Sequence, residues 1–263
     1  MQNQPELDAI FIVGTGRSGT HFTCRALSGF ANVFDPMEGS EEFSILNQIA
    51  RSAIYHQELP QRVIEYYKNR ESKRKKGEVF LDQHHPNIFF TPQLTEIFSN
   101  PIFLFPYRPT VQVVASMLQH EGVLSWYELA RKSFRFFSSI KRIPIPNRFL
   151  GIESRKEMSD LELHELCAFR VLSHNQTMKK LVSANRNCRV ISYEGLIIDQ
   201  EAEFINTFSS FELDALGEFS LVERSNLASA QKYKSVLTQD QISDILAIEE
   251  NFNKKNLGTG KHD

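Results

Sequence analysis

The chain has 263 residues, 41% of them hydrophobic, and a formal net charge of −2. This length suits one α/β domain with insertions, and the balanced charge excludes a general electrostatic attraction to nucleic acid. No apolar run reaches the ~20 residues of a membrane span, and residues 1–8 are too polar and too short for a signal peptide. We therefore expect a single domain over residues 1–263 without a transmembrane segment.

The chain contains three cysteines, Cys24, Cys167 and Cys188. Their number is odd, they form no C-x-x-C pair, and no cluster of cysteine and histidine has metal-ligand spacing. This pattern predicts reduced core cysteines in a cytoplasmic protein and no bound metal.

The first predicted strand, residues 10–13, leads into a glycine-rich turn and then into an apolar pattern typical of a helix. Gly14, Gly16 and Gly19 permit positive φ angles, which let several backbone N–H groups point inward. The helix that follows adds the positive end of its dipole. We therefore predict that this turn binds phosphate.

The turn departs from the loop that binds nucleoside triphosphates. Thr20 follows Gly19, where that loop has a lysine. The lysine neutralises the outer phosphates, so its absence argues against ordinary ATP or GTP chemistry, although Arg17 can supply a charge from within the turn. Ser18 and Thr20 add hydroxyl groups.

Candidate proton-transfer residues follow the second and third predicted strands. Residues 31–36 form a strand that proline ends, and Glu38 lies in the next loop. Residues 79–82 form the third strand, which leads into His84 and His85. Because the carboxyl ends of parallel strands face the ligand crevice, we expect all three side chains at the edge that carries the glycine-rich turn. Each could be a general base, a solvated charge or a structural group.

Two further strands complete the predicted sheet. The fourth, residues 102–105, runs towards Arg108, and Ser116 lies eight positions later, about two helical turns into the following helix. The fifth strand and its turn occupy residues 189–196. We therefore predict an α/β fold, a three-layer parallel sheet of about five strands with helices on both faces.

The remaining segments are predicted to be helical or solvated. Residues 42–54 and 60–67 have helical periodicity, and the basic residues 68–77 predict a mobile solvated linker. A helical insertion occupies about 123–185, where no strand pattern appears. The last helix begins after Thr238, which forms a capping box with Gln241.

Three motifs in family order resemble the sulfotransferases that use 3′-phosphoadenosine-5′-phosphosulfate. Ile12–Thr20 resembles their 5′-phosphosulfate loop, in which a basic residue precedes S-G-T. Tyr107–Ser116 resembles their 3′-phosphate motif, and Ser192–Leu196 resembles their Y-E-D-L segment, with Gly195 in place of the aspartate. The resemblance implies the P-loop-like fold of that family.

The resemblance also implies the activity: transfer of a sulfuryl group from 3′-phosphoadenosine-5′-phosphosulfate to an acceptor hydroxyl by in-line displacement, with adenosine 3′,5′-bisphosphate as the product. A sulfuryl group carries less charge than a phosphoryl group, so fixed cations and N–H donors can suffice without a metal. Arg108 and Ser116 match the family's 3′-phosphate ligands. The donor-binding residues implied by the motifs are Gly16, Arg17, Ser18, Gly19, Thr20, His21, Arg108, Ser116 and Tyr193.

The general base has candidates in two loops. In different branches of the family the base is a glutamate after the second strand or a histidine after the third, and many members have a lysine in the latter segment. His84 would occupy the place of that lysine and donate to the oxygen that joins sulfur to the leaving phosphate. We favour Glu38 as the base, and His84 and His85 are the alternatives.

Two other classes of function fit part of the sequence. An ATP-dependent kinase is one, because residues 79–82 have the acid-ended form of a magnesium-holding strand. A non-catalytic nucleotide-binding protein is the other. The sequence does not specify the acceptor, whether a small-molecule, carbohydrate or lipid hydroxyl, or the oligomeric state.

Overall fold

A computed structural model describes residues 6–34, 41–135, 142–222 and 231–258. The loop that carries Glu38 therefore lies outside the described residues.

The chain forms two compact units. The first comprises Met1–Arg108 and Thr177–Leu227, and the second comprises Pro109–Gln176 and Ala228–Asp263. The second unit begins before the predicted insertion at 123–185 and includes the C-terminal helix. A single sulfotransferase-like domain over the whole chain stays a prediction.

The first unit contains a five-stranded sheet in the order β2-β3-β1-β4-β5. Every neighbouring pair is parallel, which confirms the predicted α/β class. The second strand begins at Val33, two residues later than predicted, and residues 35–36 of that prediction lie outside the described residues. The strands are β1 (Ala9–Ile12), β2 (Val33–Phe34), β3 (Val79–Asp82), β4 (Pro101–Tyr107) and β5 (Cys188–Ser192).

The described helices follow in chain order. They are α1 (Thr20–Leu27), α2 (Glu41–Ile54), α3 (Gln61–Lys73), a 3-10 helix (His85–Phe89), α4 (Thr91–Thr95), α5 (Thr110–Leu118), α6 (Glu121–Arg135), α7 (Arg155–Asp160), α8 (Leu163–Ala184), α9 (Tyr193–Ile198), α10 (Gln200–Thr207), α11 (Ser210–Leu216), α12 (Tyr233–Val236) and α13 (Gln239–Gly258).

Strand β1 is covered on both faces, and all four of its residues are buried. Successive side chains of a strand point to opposite faces. Ile10 and Ile12 belong to the apolar cluster that includes residues of α1, α9 and α10. Phe11, on the other face, packs edge-on against Tyr67 of α3 and Phe98, with ring centroids 5.7 and 5.1 Å away. This double burial explains why β1 is a continuous apolar run.

Helix α3 extends further than the sequence pattern indicated. It ends at Lys73, so the predicted linker at 68–77 was wrong for its first six residues. The guanidinium of Arg74 donates to both carboxylate oxygens of Glu71 at 2.9 and 3.0 Å, and to the backbone carbonyl of Glu78 at 2.7 Å. Lysine, arginine and glutamate are good helix formers, so a charged run can continue a helix whose other face is buried.

The second unit is helical in its described part. Helix α5 packs against α6, α12 and α13, and the hydroxyl of Thr110 donates to Glu249 at 2.8 Å. The predicted capping box of α13 is confirmed. The N–H of Thr238 donates to Gln241 Oε1 at 3.0 Å, and the N–H of Gln241 donates to Thr238 Oγ1 at 3.2 Å.

Candidate active site

The sheet order places the glycine-rich turn at a switch point. Strand β1 lies between β3 and β4, so the chain builds β2 and β3 on one side of β1 and β4 and β5 on the other. In open parallel sheets, ligands bind outside the carboxyl ends of the strands at such a point. The turn after β1, residues 13–19, which we call the phosphate loop, and Arg108 after β4 both lie at this edge.

Three residues of the phosphate loop have positive φ angles: Gly14 at 136°, Arg17 at 76° and Gly19 at 110°. The prediction is confirmed for Gly14 and Gly19 and was wrong for Gly16. Gly16 instead permits a close approach, because a Cβ atom there would lie 3.0 Å from His85 Nε2. Arg17 is the non-glycine residue among the three, and a left-handed conformation costs such a residue ~1–2 kcal/mol. Its exposed side chain therefore projects from a strained backbone.

The phosphate loop has features that fit an anion. Thr15 Oγ1 is buried and has no hydrogen-bond partner within the described part of the chain. Gly19 is the N-cap of α1 and provides no side-chain cap, so the first N–H groups of the helix lack one. Ser18 and Thr20 are both 3% exposed, and the Ser18 hydroxyl donates to the Thr15 carbonyl at 2.9 Å. A buried hydroxyl without a partner and a helix N-terminus without a side-chain cap are both satisfied by phosphate-like oxygens.

Two arginines carry the positive charge of this edge. Burial is the main cause that lowers the pKa of Arg108; Tyr193 opposes this shift, and the positive charge of Arg17 adds to it. Arginine side chains stay charged in proteins. Like charges within electrostatic range repel each other, and a bound anion would remove that repulsion.

Tyr193 contacts both parts of this edge. The Arg108 guanidinium lies over its ring, 4.6 Å from the centroid, and a Cβ atom on Gly19 would overlap the same ring. The ring of Phe22 packs edge-on against it at 5.7 Å. Tyr193, the first residue of α9, thus packs against both the phosphate loop and Arg108.

Gly195, where the family motif has an aspartate, packs against a carboxylate from another helix. A Cβ atom on Gly195 would overlap the carboxylate of Glu203 on α10. Glu203 Oε1 accepts the backbone N–H of Ser192 at 2.6 Å, and Ser192 Oγ accepts the N–H of Gly195 at 3.0 Å as the cap of α9. Glu203 therefore supplies a carboxylate to the turn that lacks the aspartate.

Gly195→Asp should destabilise the protein by ~1–3 kcal/mol, because the new side chain overlaps Glu203. Glu203→Ala in the same chain should recover part of this loss, since the two carboxylates compete for one space. Urea unfolding of both single variants and the double variant measures this coupling. Glu201→Ala, at an exposed position on α10, is the control. Purely additive losses in the double variant would contradict the shared position.

His85 is the histidine that faces the phosphate loop. Its backbone carbonyl accepts the N–H of Gly14 at 3.0 Å, and its ring approaches Gly16. His85 is half-buried at the start of the 3-10 helix. Its ring is therefore placed to interact with a group bound by the loop.

His84 lies in different surroundings, because its ring is part of a buried cluster of ionic side chains. Its ring is 3% exposed. Nδ1 lies 2.5 Å from Asp82 Oδ1, and Nε2 lies 3.1 Å from Glu42 Oε2. Burial disfavours the charged ring, but the two carboxylates outweigh burial and raise the pKa of His84 to about 10. A ring that is already protonated at neutral pH cannot accept a proton there.

Hydrogen bonds and ion pairs engage the carboxylates of this cluster. The hydroxyl of Tyr66 donates to Glu42 Oε1 at 2.6 Å, and Arg70 Nη2 lies 3.8 Å from the same oxygen. Burial raises the pKa of Glu42, whereas the bonds from His84 and Tyr66 lower it more strongly, so the net shift is downward. Asp82 Oδ2 accepts the backbone N–H of His84 and Asn87 Nδ2, both at 3.0 Å. Asp82 is thus engaged by protein groups on both oxygens.

The other predicted site residues are placed as follows. Thr20 and His21 begin α1, and His21 is exposed. Ser116 is half-buried on α5 in the second unit. Glu38 lies outside the described residues. The roles given to these residues stay predictions.

Sequence reasoning missed Glu42 and Glu203. Both are helix-surface acids by pattern, and no local motif distinguishes them from other glutamates. Glu42 is 42 positions from His84 and Glu203 is 11 positions from Ser192. The glycine at position 195 is the sequence feature that leaves room for the Glu203 carboxylate.

Within the described ranges, no group of three or more histidine, cysteine, aspartate or glutamate side chains is arranged to hold a metal ion. No helix in the described part of the chain is both long and apolar enough to span a membrane. All three cysteines are buried and free, as predicted for core cysteines.

The parallel sheet, the phosphate loop and the two arginines together describe an α/β protein with a candidate anion site at its switch point. No protein-family model matches the sequence, and no curated protein matches it. A solved sulfotransferase domain from the curacin biosynthetic pathway is 13% identical, with a TM-score of 0.52 and coverage of 95% of this chain and 99% of that chain. A sulfotransferase domain from the Synechococcus PCC 7002 olefin synthase is also 13% identical, with a TM-score of 0.50 and coverage of 95% and 96%.

At this level of identity, the likeness establishes the fold. The chain has the fold of sulfotransferase domains, and the fold implied by the sequence resemblance is confirmed.

Proposed function

We propose that the protein transfers a sulfuryl group from 3′-phosphoadenosine-5′-phosphosulfate to an acceptor hydroxyl. In this reaction the acceptor oxygen bonds to sulfur, the bond from sulfur to the 5′-phosphate oxygen breaks, and adenosine 3′,5′-bisphosphate leaves. The acceptor proton passes to a general base. The acceptor class, a small-molecule, carbohydrate or lipid hydroxyl, and a cytoplasmic location stay predictions.

One observation carries the proposal: two arginines, Arg17 and Arg108, lie at the switch point, where the phosphate loop has no lysine. Arg17 projects from the loop itself, and Arg108 is close enough for the charge of Arg17 to lower its pKa. The transferred group is a weaker anion than a phosphoryl group, so Arg17 and the N–H groups of the loop can hold it without a metal, and Arg108 is left for the 3′-phosphate. The sulfotransferase fold supports the same reading.

The residues of the loop share one proposed role. The N–H groups at the N-terminus of α1, the Thr15 hydroxyl and Arg17 would hold the 5′-phosphosulfate, and the Ser18 hydroxyl would join them by giving up its bond to the Thr15 carbonyl. Arg108 would hold the 3′-phosphate, with its guanidinium oriented by the ring of Tyr193. The prediction for Ser116 as a second 3′-phosphate ligand also stays part of this proposal.

We propose Glu38 as the general base and His85 as the donor to the leaving oxygen. The donor role was first expected of His84, but both ring nitrogens of His84 are engaged by carboxylates. His85 has its ring beside Gly16 instead. If Glu38 is not the base, His85 is the next candidate for the same reason.

The kinase alternative loses its main support. It depended on Asp82 as a magnesium-holding acid at the end of β3. Both oxygens of Asp82 bind protein groups, namely the His84 ring, the His84 backbone and Asn87. Coordination of a metal by Asp82 would have to break these contacts.

A thermal-shift comparison tests the proposed class of ligand. Adenosine 3′,5′-bisphosphate at 100 times its dissociation constant should add ~2.7 kcal/mol to the unfolding free energy in the presence of a chelator. ATP with magnesium at the same concentration should add less. Stabilisation by ATP and magnesium alone would favour a kinase, and tight bisphosphate binding without any turnover would favour a non-catalytic protein.

Arg108→Ala should weaken binding of the bisphosphate by ~1.5–3 kcal/mol, because it removes a charge-assisted contact to the 3′-phosphate. Isothermal titration calorimetry measures the loss. Adenosine 5′-phosphosulfate, which lacks the 3′-phosphate, is the matched ligand and should be affected far less. An equal loss for both ligands would show that Arg108 does not read the 3′-phosphate.

A further inference from the structure

The buried cluster around His84 connects three elements of the first unit. Asp82 ends β3, Glu42 lies in the first turn of α2, and His84 precedes the 3-10 helix. The ring of His84 bridges the two carboxylates through its two nitrogens, at 2.5 and 3.1 Å. Two buried carboxylates beside a neutral ring would be costly, since a buried charge needs a partner of opposite sign. The two carboxylates on either side of the ring therefore favour the imidazolium form.

The groups that face this ring come from every element packed around it. Tyr66, Tyr67 and Arg70 come from α3, and Asn87 comes from the 3-10 helix. The hydroxyl of Tyr67 lies 3.3 Å from His84 Nδ1 and accepts Asn87 Nδ2 at 2.6 Å. The two carboxylates are matched by the imidazolium and the Arg70 guanidinium, so the cluster is balanced in charge. Within the described residues Glu42 Oε2 and Asn87 Oδ1 have no hydrogen-bond partner, so ion pairs together with the remaining hydrogen bonds hold these elements in one arrangement.

The residue next to His84 makes the contacts with the phosphate loop. The His85 carbonyl accepts the N–H of Gly14, and the His85 ring limits the space beside Gly16. The carbonyl of His84 also accepts the N–H of Asn87 at 2.9 Å, which begins the 3-10 helix. Displacing His84 would therefore move the carbonyl and the ring of His85.

We propose that the Asp82–His84–Glu42 cluster is a positioning device that holds His85 against the phosphate loop. His84 and Glu42 are positioning residues in this account, and they act on the loop through His85. We call the Asp82–His84–Glu42 cluster, with its hold on His85, the clamp. The proposal rests on the proposed function only in taking the loop as the donor site, because the clamp itself is a property of the folded protein.

Amide hydrogen exchange measures the clamp without any ligand. Gly14 donates to the His85 carbonyl, whereas its neighbour Val13 donates to the Leu104 carbonyl on the other side of β1, at 2.9 Å. In Glu42→Gln and His84→Asn, exchange at Gly14 should rise ~10–100-fold relative to Val13, because a charged contact that holds His85 is lost. Tyr66→Phe, which removes one hydrogen bond to Glu42 and keeps the ion pair, should raise the ratio much less.

An unchanged ratio of Gly14 to Val13 exchange in folded Glu42→Gln would overturn the proposal. If His84→Asn fails to fold, the exchange ratio in Glu42→Gln alone tests the proposal, because glutamine keeps the shape of the glutamate side chain. Ring nitrogen shifts of His84 provide a second measurement: they should show the imidazolium form in the wild type at pH 8, and a neutral ring there would also overturn the clamp.

Bisphosphate titration connects the clamp to the loop. Glu42→Gln should weaken adenosine 3′,5′-bisphosphate binding by about tenfold, because the Gly14 and Gly16 region is no longer held. Wild-type protein that does not bind the bisphosphate would refute the proposed function, and the exchange ratio would still decide the clamp. Wild-type binding with unchanged affinity in Glu42→Gln would refute the link between the clamp and the donor site.

Discussion

Glu38→Gln is expected to lower sulfuryl transfer by ~10²–10⁴-fold, because it removes a general base while keeping the shape of the side chain. Turnover would be measured with the hydroxyl compound that gives the highest wild-type rate in a panel of phenols, sugars and lipids. Bisphosphate affinity should stay nearly unchanged, since the base contacts the acceptor and not the donor. Glu41→Gln, at an exposed position in α2, is the matched control for loss of a negative charge.

Turnover of the histidine variants can contradict the assignment of Glu38 as the general base. If Glu38→Gln turns over within about threefold of the wild type and His85→Asn loses the ~10²–10⁴-fold expected of a base, the base is His85. If Glu38 is the base, His85→Asn should still reduce turnover through loss of a donor to the leaving oxygen, by a smaller factor. His84→Asn should affect turnover indirectly, through the faster amide exchange at Gly14 and the weaker bisphosphate binding that follow when the clamp is lost.

Arg17→Ala is expected to reduce turnover by ~10²–10³-fold, as does removal of other donors to a developing charge. The loss of bisphosphate affinity should be smaller, because the sulfuryl group is absent from that product. Alanine and lysine keep a Cβ atom in the left-handed conformation at this position, so both retain the same backbone strain. Arg17→Gly would relieve this backbone strain as well as remove the charge, so it is an unsuitable variant for this test.

Arg17→Lys and Arg25→Ala are the controls for this prediction. Lysine keeps the charge but loses the planar fork of donors, so it should recover part of the rate. Arg25 is an exposed arginine on α1, and its removal should leave turnover within about twofold of the wild type. Equal losses of turnover and of bisphosphate affinity in Arg17→Ala would make Arg17 a ground-state binding residue only.

The sheet was predictable because its strands have strong local signals. Apolar residues 9–12 are buried on both faces, and glycine or proline punctuates the strand ends. The capping box at Thr238 was predictable for the same reason, since a cap depends on residues three positions apart. The late start of β2 and the length of α3 were not, because pairing and packing partners decide where such elements begin and end.

The candidate site residues could be predicted only where a local sequence motif contains them. Gly14, Gly19 and Arg17 belong to one turn, and the order of motifs indicated Arg108 and Tyr193. The cluster of His84 with Glu42 depends on the packing of α2 against the 3-10 helix, which no spacing in the sequence reveals. The exchange of roles between His84 and His85 follows from that packing.

Transfer of label from 3′-phosphoadenosine-5′-[³⁵S]phosphosulfate to the hydroxyl panel, in the presence of a metal chelator, tests the proposed activity most directly. The account predicts labelled product from the wild type, loss of that product in Arg17→Ala, and inhibition by adenosine 3′,5′-bisphosphate. Phosphate transfer from ATP that requires magnesium, together with no transfer of label from the sulfuryl donor, would contradict it.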